Sequence, residues 1–401
     1  MPGFEIFGKE ERKEVLDVLD TGVLFRYGFD QARKGHWKAK TFEAELADRL
    51  GAGYCHLCSS GTSALCIALA ACGVGAGDEV IVPPFTFVAT IEAVLFAGAI
   101  PVFAEIDDTL CLDPEMIKTV ITPRTKAVVP VHMCGAMAQI DEIKTLCDDK
   151  GIVLIEDACQ ALGGTFGDKA LGTFGRMGCF SFDAVKTVTC GEGGAVITDD
   201  KNLYTLADAY ADHGHDHIGS DRGLEGHPII GSNYRISELN AAVGLAQLRK
   251  LDFILEKQRS NKKAIKRALS QFSEIEFRKI PDEAGDSATF LSFFLPDASS
   301  ARKLAADFGQ AGVDSCFYWY DNNWHYIRQW AHFKQLKSPA RLPIHLLENA
   351  PDYESLELPR SDSIMGRTIS MQIKLSWTED ELTQRIEKIV EVVKSSVKNE
   401  T

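Results

Sequence analysis

Lys186 stands in a part of this 401-residue chain that suits nucleophilic chemistry. It follows a candidate strand at 178–182 and precedes a tight glycine turn at 191–194. A lysine amine attacks an aldehyde only when it is partly deprotonated, which desolvation and nearby positive charge promote. Most lysines are solvated surface charges, and this lysine stands out because two other candidate ligand segments accompany it.

The first of these segments, 59–64, reads Ser-Ser-Gly-Thr-Ser-Ala and opens a helix directly after a candidate strand. Backbone N–H groups and the helix dipole at such a start can hold a phosphate without a basic side chain. An ordinary N-cap with a turn glycine explains the same residues, and this alternative is favoured when the motif is taken alone.

The second segment places the acidic pair Glu156 and Asp157 where a buried strand ends. A carboxylate at this position can pair with a protonated ring nitrogen and keep it protonated. A metal ligand or a solvated strand end is about equally compatible with Asp157 on this motif alone.

Between residues 40 and 200, short β-rich runs alternate with helical ones, which predicts an α/β fold with a mainly parallel seven-stranded sheet. Such sheets bind ligands at the carboxyl ends of their strands. We predict a large domain over 1–250 and a smaller α+β domain over 251–401, closed by a helix over 379–397. The predicted strands are 54–58, 79–82, 102–105, 127–131, 153–156, 178–182 and 194–198, and the helices between them begin near 62, 86, 114, 138 and 201.

The loop of Lys186, the helix start at 59–64 and the acidic pair, together with the segment 231–240, occur in the order and spacing of the DegT/DnrJ/EryC1/StrS family of sugar aminotransferases. The chain resembles this family over nearly its whole length. The resemblance implies a fold-type I enzyme that depends on pyridoxal 5'-phosphate (PLP) and works as a homodimer. It implies that Lys186 carries the cofactor, that Asp157 binds the pyridine nitrogen, and that Phe87 stacks on the ring. The other implied cofactor contacts are Gly61, Thr62, Ser63 and Ser181 at the phosphate, Gln160 near the ring oxygen, and Asn233 of the partner subunit, also at the phosphate.

Four segments differ from the common nucleotide-sugar members of the family, at 130–135, 212–217, 317–325 and 370–375. The differences resemble members that aminate C8 of an eight-carbon sugar acid for lipopolysaccharide, which implies L-glutamate as donor and an 8-oxo sugar acid as acceptor. Basic donors would suit the acid. The candidate substrate residues are Arg26, His215, Arg235 and Lys374. A nucleotide-linked keto sugar as acceptor, or a PLP-binding sensor without turnover, are the alternatives.

Histidines alternate at 213, 215 and 217, as metal ligands on one strand face would, but no partner at diagnostic spacing accompanies them. A polar loop is the favoured interpretation, and we expect no metal. Cys55 and Cys58 form a CxxC without a second pair, which favours two small core side chains.

A formal net charge of −14 argues against a nucleic-acid partner. Eleven cysteines without a signal peptide indicate a reducing compartment, so we expect a cytoplasmic enzyme. The apolar stretch 85–104 is interrupted by Glu92, Gly98 and Pro101, which favours a helix followed by a strand over a membrane span.

Overall fold

The computed structural model of this chain describes residues 3–219, 221–348 and 350–398. Its main feature is a seven-stranded sheet in the order β1-β9-β8-β5-β4-β2-β3. The described strands are β1 (Tyr54–Cys58), β2 (Glu79–Val82), β3 (Ile100–Phe103), β4 (Thr125–Val128), β5 (Val153–Asp157), β6 (Thr165–Phe166), β7 (Lys169–Ala170), β8 (Met177–Ser181), β9 (Gly194–Thr198), β10 (Glu276–Phe277), β11 (Phe290–Phe294), β12 (Cys316–Phe317) and β13 (Thr368–Gln372).

Only β9 runs against its neighbours in the large sheet, since it pairs antiparallel with β1 and β8, whereas the pairs from β8 to β3 are parallel. The predicted mainly parallel seven-stranded sheet is therefore confirmed. The central strands are buried on both faces and consist mainly of apolar residues, as a sheet covered by helices requires.

Helices cover both faces of this sheet, and α3 is the one that reaches the site. Nearly all of its side chains are buried because it packs against the sheet and against α4 and α7. The described helices are α1 (Lys9–Leu19), α2 (Lys38–Leu50), α3 (Gly61–Ala71), α4 (Ala89–Phe96), α5 (Pro114–Val120), α6 (Ile140–Lys150), α7 (Lys201–Ala211), α8 (Glu238–Leu248), α9 (Leu251–Leu269), α10 (Ala298–Gln310), α11 (Ala331–Lys334), α12 (Pro359–Gly366) and α13 (Glu379–Lys398).

A second, antiparallel sheet in the order β10-β11-β13-β12 forms the C-terminal part of the chain. Its apolar core is shared with α9, α10 and α13. The last helix begins at a capping box, in which the backbone N–H of Glu381 donates to the Thr378 hydroxyl and the Glu381 carboxylate accepts from the Thr378 N–H.

The segment between β12 and α12 belongs to the core of the large sheet. Trp319, Tyr326, Trp330 and Phe333 are buried in the same apolar cluster as the strands β2, β4 and β5. Residues of the predicted small domain therefore cover the large domain and bring an aromatic stretch to its edge. Among the described helices, none is long and apolar enough to cross a bilayer.

Candidate active site

A cleft of about 660 Å³ opens at the carboxyl ends of β5 and β8, beside the start of α3. Most of its lining comes from five parts of the chain that are distant in sequence, and Val131, Phe290 and Gln372 add to it. The five parts are the start of α3, 86–90, 157–160, 181–193 and 317–325. It brings together seven of the predicted site residues, namely Gly61, Thr62, Phe87, Asp157, Gln160, Ser181 and Lys186.

The start of α3 forms one end of the cleft. Ser60 is the N-cap, and its hydroxyl accepts the backbone N–H of Ser63 at 3.0 Å. The N–H groups before it, at Gly61 and Thr62, have no partner within a helix and are suited to a phosphate. Only a glycine fits at 61, because a Cβ there would lie 2.7 Å from the Ser181 Cβ. The Ser63 hydroxyl bonds those of Ser59 and Ser60, so both the side chain and the N–H of Ser63 are engaged within this turn, and Gly61 and Thr62 are the better phosphate donors.

Asp157 ends β5 inside the cleft and is only 4% exposed. Both carboxylate oxygens accept hydrogen bonds, one from the Thr90 hydroxyl at 2.8 Å and one from the Cys159 N–H at 3.1 Å. The Thr86 hydroxyl lies 2.7 Å from that of Thr90, and both threonines line the cleft. These hydrogen bonds orient the carboxylate, which is placed to meet a positively charged ring nitrogen.

Glu156, the other half of the acidic pair, has a different role because neighbouring strand residues face opposite ways. It is fully buried, accepts the N–H groups of Gly172, Phe174 and Gly175, and lies 3.0 Å from Nε2 of His132. Glu156 therefore holds loops beneath the site, and Asp157 alone faces the cleft.

Lys186 lies on the loop after β8 and lines the same cleft as Asp157. The loop is held at its backbone: the Lys186 N–H donates to the Asp183 carbonyl at 3.0 Å, and the Lys186 carbonyl accepts from Gly3 at 3.1 Å. The charge of Lys186 also reaches His325 across the cleft. Burial first, and then this charge, lower the pKa of His325 to about 3.

Gln160 and Phe87 complete the cofactor part of the cleft. The Gln160 side-chain oxygen accepts the Cys134 N–H at 3.1 Å, which fixes the amide beside Asp157. Phe87 is 37% exposed and lies nearly parallel to Trp324, with ring centroids 5.8 Å apart. An aromatic face, a buried acid, an amine and a helix start thus meet in one cavity, and this set fits PLP.

The aromatic segment 317–326 forms the roof of the cleft. The N–H groups of Thr86 and Val88 donate to the carbonyls of His325 and Trp324, each at 3.0 Å. The sequence indicated this segment as part of an acceptor pocket, but Thr90, Trp324 and His325 received no individual role. The spacing of Thr86 and Thr90, four residues apart across the start of α4, is a signal that could have identified Thr90.

The structure places the four candidate substrate residues outside the cleft of their own chain, and each has an acidic neighbour. Arg26 is buried and donates to Glu43 at 2.6 Å. The other three pairs are His215 with Glu225, Arg235 with Asp212, and Lys374 with Asp314. Asn233 is exposed and also lies outside this cleft, so its expected contact depends on a partner subunit.

The histidine-rich segment folds as a loop around an ion-pair cluster. His217 lies between Asp208 and Asp212, at 2.8 and 2.9 Å, and Asp212 also binds Arg222 and Arg235. Burial opposes the charge on His217, but the hydrogen bonds to both carboxylates raise its pKa to about 9. Ligand atoms of Asp212, His215 and His217 lie within 4.8 Å of one another, and both ring nitrogens of His217 are engaged with carboxylates.

Comparison with known proteins finds relatives that match along the chain. The chain is 31% identical over 401 residues to the spore coat polysaccharide biosynthesis protein SpsC of Bacillus subtilis (strain 168), covering 98% of this chain and 96% of that protein. It is 42% identical over 274 residues to the L-glutamine:2-deoxy-scyllo-inosose aminotransferase of Streptomyces kanamyceticus, covering 65% of this chain and 62% of that enzyme.

Two solved structures have the same fold. The aminotransferase from Psychrobacter cryohalolentis superposes with a TM-score of 0.85 at 27% identity, covering 97% of this chain and 98% of its own. The 3-amino-5-hydroxybenzoic acid synthase gives 0.82 at 30% identity, covering 97% of each chain. The profile of the DegT/DnrJ/EryC1/StrS aminotransferase family matches residues 6–391, and the chain is a member of this family of PLP-dependent sugar aminotransferases.

Proposed function

We propose that this aminotransferase moves an amino group from L-glutamate to C8 of 3,8-dideoxy-8-oxo-manno-octulosonate. The products are 8-amino-3,8-dideoxy-manno-octulosonate, for lipopolysaccharide biosynthesis, and 2-oxoglutarate. The proposal rests on the sequence resemblance and on the size of the cleft.

The cleft size is the observation that favours a small sugar acid over a nucleotide-linked sugar. About 660 Å³ has to hold both the cofactor and the acceptor. Among the described residues that line it, Lys186 is the one cation, against the carboxylates of Asp157, Asp183 and Glu192. The volume carries this preference, because the cleft of one chain offers no arginine or second lysine to a pyrophosphate or to the carboxylate of the sugar acid.

We assign the chemical roles as follows. Bound PLP supplies an aldehyde that receives the amino group and a ring that withdraws electrons from the donor Cα–H bond. Lys186 would hold the cofactor at its aldehyde carbon, and the free Lys186 amine would take the proton from the donor Cα and supply it again on the cofactor side. Asp157 keeps the proton on the ring nitrogen, supported by Thr90.

The remaining residues orient the cofactor. The N–H groups at the start of α3, Ser181, and Asn233 of the partner subunit hold the phosphate, while Phe87 stacks on the ring and Gln160 lies near its oxygen. This arrangement requires a homodimer, and we place the enzyme in the cytoplasm.

Substrate profiling tests the acceptor. Purified enzyme with L-glutamate is given the 8-oxo sugar acid or a set of GDP- and UDP-linked keto sugars, and 2-oxoglutarate release is measured. We expect turnover with the sugar acid. Turnover with nucleotide sugars alone would refute the octulosonate and favour the alternative, which relatives such as the GDP-perosamine synthase of Vibrio cholerae, 37% identical over 288 residues, support. A sensor would turn over none of them.

A further inference from the structure

The roof of the cleft contains a histidine, His325, that has no role in the proposed chemistry. Its ring lies between Trp319 and Phe87, with centroid distances of 4.6 and 5.5 Å. Its backbone is fixed as well, because the carbonyl accepts from Thr86 and the next residue, Tyr326, forms an antiparallel bridge with Phe85. The ring therefore has a defined position beside the cofactor site.

Hydrogen bonds to Asn322 define which nitrogen of His325 carries the proton. The Asn322 side-chain oxygen accepts the backbone N–H of Trp324 at 2.9 Å, and an N–H donor requires that this atom be the oxygen of the amide. The same oxygen lies 3.0 Å from Nδ1 of His325. Since an amide oxygen only accepts, Nδ1 must be the protonated nitrogen.

The other nitrogen, Nε2, is therefore a lone-pair acceptor whenever the ring is neutral. Burial and the charge of Lys186 lower the pKa of His325 to about 3, so the ring is neutral at physiological pH. No donor from the described residues bonds Nε2. This nitrogen is also not fully enclosed by protein atoms, and His325 lines the cleft. An acceptor open to the cleft calls for a donor from the ligand.

We propose that Nε2 of His325 accepts a hydrogen bond from a hydroxyl group of the acceptor sugar, which makes His325 a specificity-determining residue. The inference rests on the proposed function, since it takes the acceptor to be a hydroxylated sugar. Glutamate has no hydroxyl group, so the donor half of the reaction should not use this bond. This hydrogen bond would therefore discriminate between the amino donor and the acceptor sugar, which bind in the same cleft.

The test compares amines that react with the PLP form of the enzyme in single turnover, followed by the loss of cofactor absorbance. The probes are L-glutamate, 8-amino-3,8-dideoxy-manno-octulosonate, and 8-aminooctanoate, which has no hydroxyl groups. His325→Phe keeps a ring between Trp319 and Phe87 but removes Nε2, and His325→Gln can return an acceptor to a similar place.

We expect His325→Phe to lower the rate constant for the octulosonate amine at limiting concentration roughly tenfold, the value of one hydrogen bond. Rates with glutamate and 8-aminooctanoate should stay within about twofold, and His325→Gln should recover part of the loss. An equal loss with all three amines would overturn the proposal, because it would place His325 in the common chemistry. An unchanged rate with the octulosonate amine would overturn it as well.

A wrong assignment of the acceptor can be distinguished from a wrong role of His325, because it would already be visible as a lack of reaction in the wild-type enzyme. If wild type does not react with the octulosonate amine, the same comparison is made with GDP-perosamine, a hydroxylated amine of the alternative class. The His325→Phe loss should then appear with that probe, and its absence there would refute the role of His325.

Discussion

Thr90→Val removes the hydroxyl that supports Asp157 while it keeps the shape of the side chain. The Thr90 hydroxyl donates to the carboxylate at 2.8 Å in a buried setting, and no other side-chain hydroxyl among the described residues does so. A hydrogen bond to a charged group contributes about 1.5–3 kcal/mol. If the whole amount is lost in the transition state, the rate of the donor half-reaction falls roughly ten- to a hundredfold.

The assay is the single-turnover rate of the PLP form with saturating L-glutamate, together with bound cofactor content. Thr90→Ser retains the hydroxyl and should stay near wild type. Thr86→Val is a second control, since its hydroxyl reaches Thr90 and not the carboxylate. A Thr90→Val enzyme with full cofactor content and a wild-type rate would refute the reasoning that this hydroxyl supports Asp157.

Three further perturbations test other parts of the site. Asp157→Asn should retain cofactor but lose at least roughly a hundredfold in rate, because a neutral ring nitrogen withdraws electrons poorly; a wild-type rate would remove the assigned role. Gly61→Ala should weaken PLP binding measured by dialysis, since the added Cβ would lie 2.7 Å from the Ser181 Cβ, and unchanged affinity would argue against a phosphate at this turn. His217 has a folded pKa of about 9 against its usual 6.5, so its stabilisation of at most about 3 kcal/mol is fully present below pH 6.5 and is lost as pH rises through 9. Thermal unfolding measured across that range should show this loss in wild type and a flatter profile in His217→Gln, and identical profiles would contradict the ion-pair assignment.

The sequence predicted the strands at 54–58, 79–82 and 194–198 with the observed bounds, because apolar runs flanked by turn residues are a local signal. It placed β3 two residues late, since a proline at 101 argues against a strand. The structure explains the proline: β3 is an edge strand of the sheet, where a missing N–H is tolerated.

Features that depend on contacts between distant parts of the chain could not be predicted from the sequence. The helix expected near Thr86 begins at Ala89, because residues 84–88 pair with the aromatic roof more than two hundred positions away in the chain. Residue type alone does not reveal that Arg26, one of the candidate basic donors, is buried against Glu43. The seven predicted residues that line one cleft could be found from the sequence because their motifs are local and ordered.

Borohydride reduction of the PLP form, followed by proteolysis and mass spectrometry of the peptides, tests the central assignment most directly. Reduction fixes the cofactor to whichever amine carries it. We predict that the pyridoxyl phosphate group is found on the peptide that contains Lys186 and is missing from the same peptide of a Lys186→Ala variant. A label on any other lysine of the wild-type enzyme would contradict the assignment of Lys186 as the residue that carries the cofactor.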